Sequence, residues 1–124
     1  MSSDTLQLHY RTFGSSGPLC LVLHGLLGSG ENWQTPAEKL VSAGYRVCTP
    51  DMRNHGGSFH DSGMGYPVMA EDVHRLIEKT GPGPVLIIGH SMGGKIGMEL
   101  ALSHPEDVKK LIVVDISPYR YKPL

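Results

Sequence analysis

Two cysteines, one tryptophan and two phenylalanines are a thin supply of disulfide and aromatic material for a chain of 124 residues. So few cysteines exclude a disulfide framework. Cys20 and Cys48 each sit inside an apolar run, the setting of small buried hydrophobes rather than of a redox pair. No Cys-x-x-Cys and no His-x-x-x-His spacing occurs, so neither a metal nor another cofactor is expected. Charge of one sign is also missing: 11 Lys and Arg face 12 Asp and Glu, with no run of like charges. That leaves no basic surface for nucleic acid or for an anionic membrane. No apolar stretch reaches membrane-spanning length, and Met1-Ser2-Ser3-Asp4 lacks the basic-then-apolar layout of a secretory signal. A soluble intracellular protein is the expectation, cytoplasmic or, in a eukaryote, of the mitochondrial matrix. The length suits one small domain.

What the chain has in quantity is short apolar runs separated by helical periodicity. Leu6, Leu8 and Tyr10 alternate with polar residues, the pattern of an edge strand with one wet face. Leu19 to Leu23, Tyr45 to Thr49, Val85 to Ile88 and Leu111 to Ile116 read as further strands, those of four or more consecutive apolar residues as buried on both faces. Between them, Trp33, Pro36, Ala37, Leu40 and Val41 mark one helical face that Gly44 can end. A second helix has Pro67 near its start and Gly81 after its end. Its buried face is Met69, Val73, Leu76, Ile77 and Thr80, and its wet face Glu71, Arg75, Glu78 and Lys79. A third runs from the Ser91 region to His104-Pro105, where proline stops it. Strands alternating with helices at this spacing predict an α/β fold, a mostly parallel sheet with flanking helices. Active groups then collect at the carboxyl ends of the strands.

Three loops fall at such ends: after Leu23, after Ile88 and after Val114. The second is Gly89-His90-Ser91-Met92-Gly93, a Gly-x-Ser-x-Gly pattern. With 16 Gly and 11 Ser in the chain, chance supplies on the order of 0.2 such matches, so context has to carry the assignment. The context is an apolar strand before it and a helix after it. A serine on a sharp strand-to-helix turn is held in a strained conformation, and the flanking glycines let strand and helix pass without colliding Cβ atoms. The N–H of Met92 and the positive end of the helix dipole would then face an oxyanion formed beside Ser91.

Acyl transfer needs a nucleophile, a base, an acid that orients the base, and two oxyanion donors. Ser91 supplies the first and Met92 one donor, and the glycine-rich turn His24-Gly25-Leu26 can place a second backbone N–H opposite. That turn lacks the phosphate-loop patterns G-x-x-x-x-G-K-[ST] and G-x-G-x-x-G. Asp115, ending an apolar strand, is either a helix or turn cap or the orienting acid.

Taken together, His24-Gly25, Asp51-x-Arg53-x-His55-Gly56-x-Ser58, Gly89-His90-Ser91-Met92-Gly93-Gly94-Lys95 and Val113-Val114-Asp115-Ile116-Ser117-Pro118 resemble the α/β-hydrolase fold. More narrowly they are similar to small carboxylesterases of the bacterial and mitochondrial α/β-hydrolase-domain type. The resemblance covers about residues 6 to 119. It implies Ser91 as nucleophile, the backbone N–H groups of Leu26 and Met92 as the oxyanion hole, and Asp115 as the acid. The apolar walls in hand are Leu26, Leu27 and Met92, which suit a small, mostly uncharged acyl ester or thioester. The resemblance also implies a helical cap, further strands and a late catalytic histidine that none of residues 9, 24, 55, 60, 74, 90 and 104 matches.

The expectation is therefore that residues 1–124 form the amino-terminal part of a single α/β-hydrolase domain, with little turnover alone. A second polypeptide segment, or another copy, would cover the apolar strand Leu111 to Ile116 and supply the base. A non-catalytic binding protein of the same fold, or a self-associating fragment, is the competing reading.

Overall fold

The computed structural model describes residues 7–25, 33–61, 63, 65–81 and 84–114. Among them, β1 (Tyr10–Phe13), β2 (Leu19–Leu23), α1 (Gln34–Ser42), β3 (Arg46–Pro50), α2 (Tyr66–Thr80), β4 (Val85–His90), α3 (Met92–Ser103) and β5 (Val108–Val114) follow in order. A single 3₁₀ turn, Pro105–Asp107, joins α3 to β5.

The five strands form one sheet in the order β1-β3-β2-β4-β5. β1 runs antiparallel to β3 at one edge, and every other pairing is parallel. Side chains alternate across a strand, and the two faces of β2 accordingly enter different cores. Leu21 and Leu23 join Cys48, Val85 and Ile87 under Met69, Val73, Leu76 and Ile77 of α2 and Ile96 and Leu100 of α3. Cys20 and Val22 join Val47 and Ala37 on the face covered by α1. Both thiols are free and buried, and burial pushes them up to about 11 (Cys20) and about 12 (Cys48), so neither is a reactive thiolate.

The helix ends follow the residues expected to set them. Gly44 stands at φ +104 just past α1 and Gly81 caps α2, with Pro67 in its first turn. Three expectations need correcting. Pro36 is exposed, because it lies in the first turn of α1, where its rigid ring suits the helix start better than the core. β4 is not evenly buried: Val85, Ile87 and Gly89 are covered by α3 and α2, while Leu86, Ile88 and His90 are only partly covered on the α1 side. Thr80 is likewise half-buried, its hydroxyl donating to the carbonyl of Leu76 at 2.8 Å.

β5 closes the described sheet on the far side, paired to β4 from Val85↔Val108 to His90↔Val114. Val108 and Leu111 pack against the core, but Ile112, Val113 and Val114 remain 49%, 44% and 38% exposed. No helix among the described residues is long and apolar enough to cross a membrane.

Candidate active site

Ser91 occupies the single residue between β4 and α3, at φ 55°, ψ −111°. That backbone is costly for a residue with a Cβ, and it leaves the serine exposed at the helix start. Glycines make the turn possible by closeness rather than by their own torsions. A Cβ on Gly89 would lie 2.5 Å from the carbonyl oxygen of Gly93, and one on Gly93 would lie 2.1 Å from the carbonyl oxygen of Leu23. Strand β4, the neighbouring strand β2 and the first turn of α3 are thus in backbone contact around the serine.

The turn is pinned from both sides. The Ser91 N–H donates to the carbonyl of Val114 at 3.0 Å, and the Ser91 carbonyl accepts from the N–H groups of Gly94 (2.9 Å) and Lys95 (3.2 Å). Met92 is the first residue of α3 and its side chain is buried. Its N–H belongs to the first helical turn, whose amides have no carbonyl partner within the helix and carry the positive end of the dipole. Such a donor beside an exposed hydroxyl is what a developing oxyanion requires.

The loop after β2 begins with a histidine used as a strut. His24 is buried, and its Nδ1–H donates to the Gly25 carbonyl at 2.7 Å while Nε2 accepts the Met52 N–H at 2.9 Å. Burial lowers its pKa, which keeps the ring neutral and the acceptor nitrogen available. Gly25 sits against the residue preceding the serine, where a Cβ would come 2.8 Å from Nδ1 of His90. The other side of His90 meets Trp33 edge-on, with ring centroids 5.9 Å apart. The seating of Gly25 and Trp33 on His90 is a part of the site that periodicity does not reveal. The two motifs His24-Gly25 and Gly89-His90 were the available signal.

The loop after β3 is a buried polar scaffold. Asp51 is fully buried, with Oδ1 receiving Arg11 at 3.1 Å and Oδ2 the N–H of Gly57 at 2.9 Å. The Ser58 hydroxyl donates to the Asp51 carbonyl and accepts the His9 N–H at 2.8 Å. Arg53 forks onto Asp72 of α2, Nε to Oδ2 at 2.7 Å and Nη2 to Oδ1 at 2.9 Å, both residues being buried. That hydrogen-bonded pairing raises the Arg53 pKa and holds its charge. His55 packs its ring 5.0 Å from His24 and shares Nδ1 with the Arg53 carbonyl at 2.8 Å.

Ser91 and Met92 therefore stand together, and the loop that begins at His24 approaches them. Leu26, Leu27 and Asp115 lie outside the described residues, although Val114, the residue before Asp115, bonds the serine directly. No side chain among the described residues hydrogen-bonds Ser91 Oγ. His24 and His55 are committed to backbone partners, and His74 and His104 to carboxylates. His104 also caps the far end of α3, about 20 Å from the serine at 1.5 Å per residue.

The α/β hydrolase fold family model matches residues 18–123. Among curated proteins, the sn-1-specific diacylglycerol lipase ABHD11 of Xenopus laevis is 46% identical over 120 residues, covering 94% of this chain and 38% of that one. Esterase YbfF of Escherichia coli is 39% identical over 107 residues, covering 86% of this chain and 41% of that protein. A solved marine microorganism esterase superposes with a TM-score of 0.86 at 49% identity, covering 91% of this chain and 43% of the other. The chain thus spans about two fifths of the length of the relatives it matches. An elbow serine between a parallel strand and its helix, the glycine contacts that shape it and these relatives agree: the chain belongs to the α/β-hydrolase fold family.

Proposed function

We propose that this chain carries the nucleophile half of a serine esterase. The observation that carries the reading is Ser91, exposed in a strained positive-φ turn at the N-terminus of α3 and bonded to the end of β5. In the proposed reaction Ser91 Oγ attacks the acyl carbonyl as a histidine base takes its proton. The N–H groups of Met92 and Leu26 hold the oxyanion, and the alcohol or thiol departs with that proton. Water then attacks the acyl-serine through the same base, releasing the acid and restoring Ser91. Asp115, one residue beyond Val114, would orient the base. Leu26, Leu27 and Met92 favour a small uncharged acyl group, and relatives named as a diacylglycerol lipase and as esterases support ester cleavage.

No side chain among the described residues is placed to serve as the base for Ser91. We place it in polypeptide beyond these residues, which would also lay a strand along the exposed edge of β5 and cover Ile112, Val113 and Val114. Loss of the base alone in such an enzyme lowers turnover on the order of 10⁶-fold, so the 124-residue segment should be nearly inert. The test is ester hydrolysis by the full-length protein, by the segment alone, and by the segment mixed with the remainder. Activity in the first and third but not the second is expected. Comparable turnover by the segment alone would overturn the assignment of the base to the remainder.

A further inference from the structure

Away from the serine, at the other end of α3, two histidines remote in sequence meet face to face. His74 of α2 and His104, the residue capping α3, stack with ring centroids 3.7 Å apart and planes within 6°. Their side chains are only 16% and 20% exposed. Four carboxylates surround them. Asp107 Oδ2 lies 2.6 Å from His74 Nδ1, and Glu71 Oε2 closes on His104 Nε2. Glu78 lies 3.4 Å from His74 Nε2 and Glu106 3.4 Å from His104 Nδ1. Each ring thus has one tight and one loose carboxylate contact. When a ring is neutral its single N–H goes to the tight contact, which makes His74 Nε2 and His104 Nδ1 the nitrogens open to an ion in exchange for the looser carboxylate contacts.

We propose that this cluster is a binding site for a divalent transition-metal ion of the zinc class, with His74, His104 and Glu106 as ligands. One donor atom from each of these three residues falls within 4.8 Å of the others. Ligand atoms around a tetrahedral zinc sit about 3.4 Å apart at metal–nitrogen distances of ~2.1 Å, so the set has to contract by little more than about an ångström. Glu106 is exposed and His104 lies in the connection after α3, so both can make that adjustment. The rings lie parallel 3.7 Å apart, so sharing one ion requires the His104 ring to tilt out of the stack.

A second feature points the same way. Asp107, itself 3% exposed, holds His74 Nδ1 in the carboxylate–histidine arrangement that fixes the tautomer and raises the basicity of metal-binding imidazoles. Glu71 does the same for His104. The mixed nitrogen and oxygen donors suit zinc or cobalt better than magnesium or calcium, which take oxygen alone. An ion there would join the middle of α2 to the turn that leads into β5, clamping the helical layer without touching the catalytic chemistry.

The test is titration of the full-length protein with Zn²⁺ by calorimetry and with Co²⁺ by visible absorption. One equivalent should bind with a dissociation constant in the micromolar range or below, Co²⁺ should give a four-coordinate d–d band, and the stacked-ring proton shifts of both histidines should disperse. His74→Gln, His104→Gln and Glu106→Gln should each weaken binding at least tenfold, whereas His60→Gln, in an exposed loop, should not. Glu106→Gln alters an exposed side chain and keeps the test valid if a histidine variant folds poorly. Absence of saturable binding, or binding unchanged in His104→Gln and Glu106→Gln, would overturn the site.

Discussion

The backbone N–H of Ser91 donates to the carbonyl of Val114 at 3.0 Å, so the serine turn and the end of β5 are held as one piece. In parallel pairing His90 opposes Val114, the last residue of β5. This relationship makes the geometry of β5 part of the candidate site.

Strain at the elbow predicts a trade between stability and activity. Ser91 sits at φ 55°, ψ −111°, a sparsely populated backbone region that costs a residue with a side chain about 1–3 kcal/mol. Ser91→Gly should raise the denaturant midpoint relative to Ser91→Ala by about that amount, with both variants inactive. Equal midpoints in chemical unfolding would show that the turn is relaxed.

The glycines should differ sharply from one another. A Cβ at position 93 would meet the Leu23 backbone carbonyl at 2.1 Å, and neither strand nor helix can retreat without breaking β2–β4 pairing. At position 94 the nearest atom is a Val113 side-chain methyl at 2.7 Å, on a strand with an exposed edge that can shift. Gly93→Ala should therefore cost more than about 4 kcal/mol or prevent folding, and Gly94→Ala roughly half of that. Soluble yield and unfolding midpoints of the two variants decide it.

The buried fork between Arg53 and Asp72 predicts non-additivity. Asp72 also receives Arg75 at 2.7 Å, so Asp72→Asn strands two guanidinium groups and should destabilise by about 3–5 kcal/mol. The paired replacement Arg53→Met with Asp72→Leu removes the charge with its partner and should cost less than Asp72→Asn alone. A double change at least as damaging as the single one would mean that the fork contributes net attraction beyond satisfying its own burial.

His24 gives the fold a defined acid sensitivity. Burial lowers its pKa in the folded state below the ordinary value of 6.5. The unfolded chain therefore takes up the proton first as the pH falls. The stabilisation is complete above pH 6.5 and is lost progressively as the pH drops through the lower folded value. Protonation would also remove the acceptor for the Met52 N–H. Unfolding midpoints measured from pH 7.5 to 5 should fall, and the fall should be shallower in His24→Asn, where no ring titrates.

Much of this is legible in the sequence, because hydrophobic runs and turn residues are local signals. The apolar run before Gly89 and the helix after Ser91 placed the elbow, and Gly44 and Gly81 placed two helix ends. Residues whose role depends on distant neighbours were not legible. Asp72 is buried on α2 only because Arg53, 19 positions earlier, reaches it from a loop. His74 and His104 meet only because α2 packs on α3. Pro36 fits the helical face by spacing, yet its place in the first turn turns it to solvent. The strand Leu111 to Ile116 reads as one whose composition suits neighbours on both sides, and β5 forms an edge of the described sheet with Ile112, Val113 and Val114 exposed.

The central claim is that Ser91 becomes acylated. The most direct measurement is peptide mapping by mass spectrometry of the full-length protein after reaction with a fluorophosphonate, alongside ester hydrolysis by wild type and Ser91→Ala. A single adduct on the peptide containing Ser91 is predicted, with labelling absent and turnover lower by on the order of 10⁶-fold in Ser91→Ala. An adduct on another residue, or hydrolysis that survives Ser91→Ala, would contradict it.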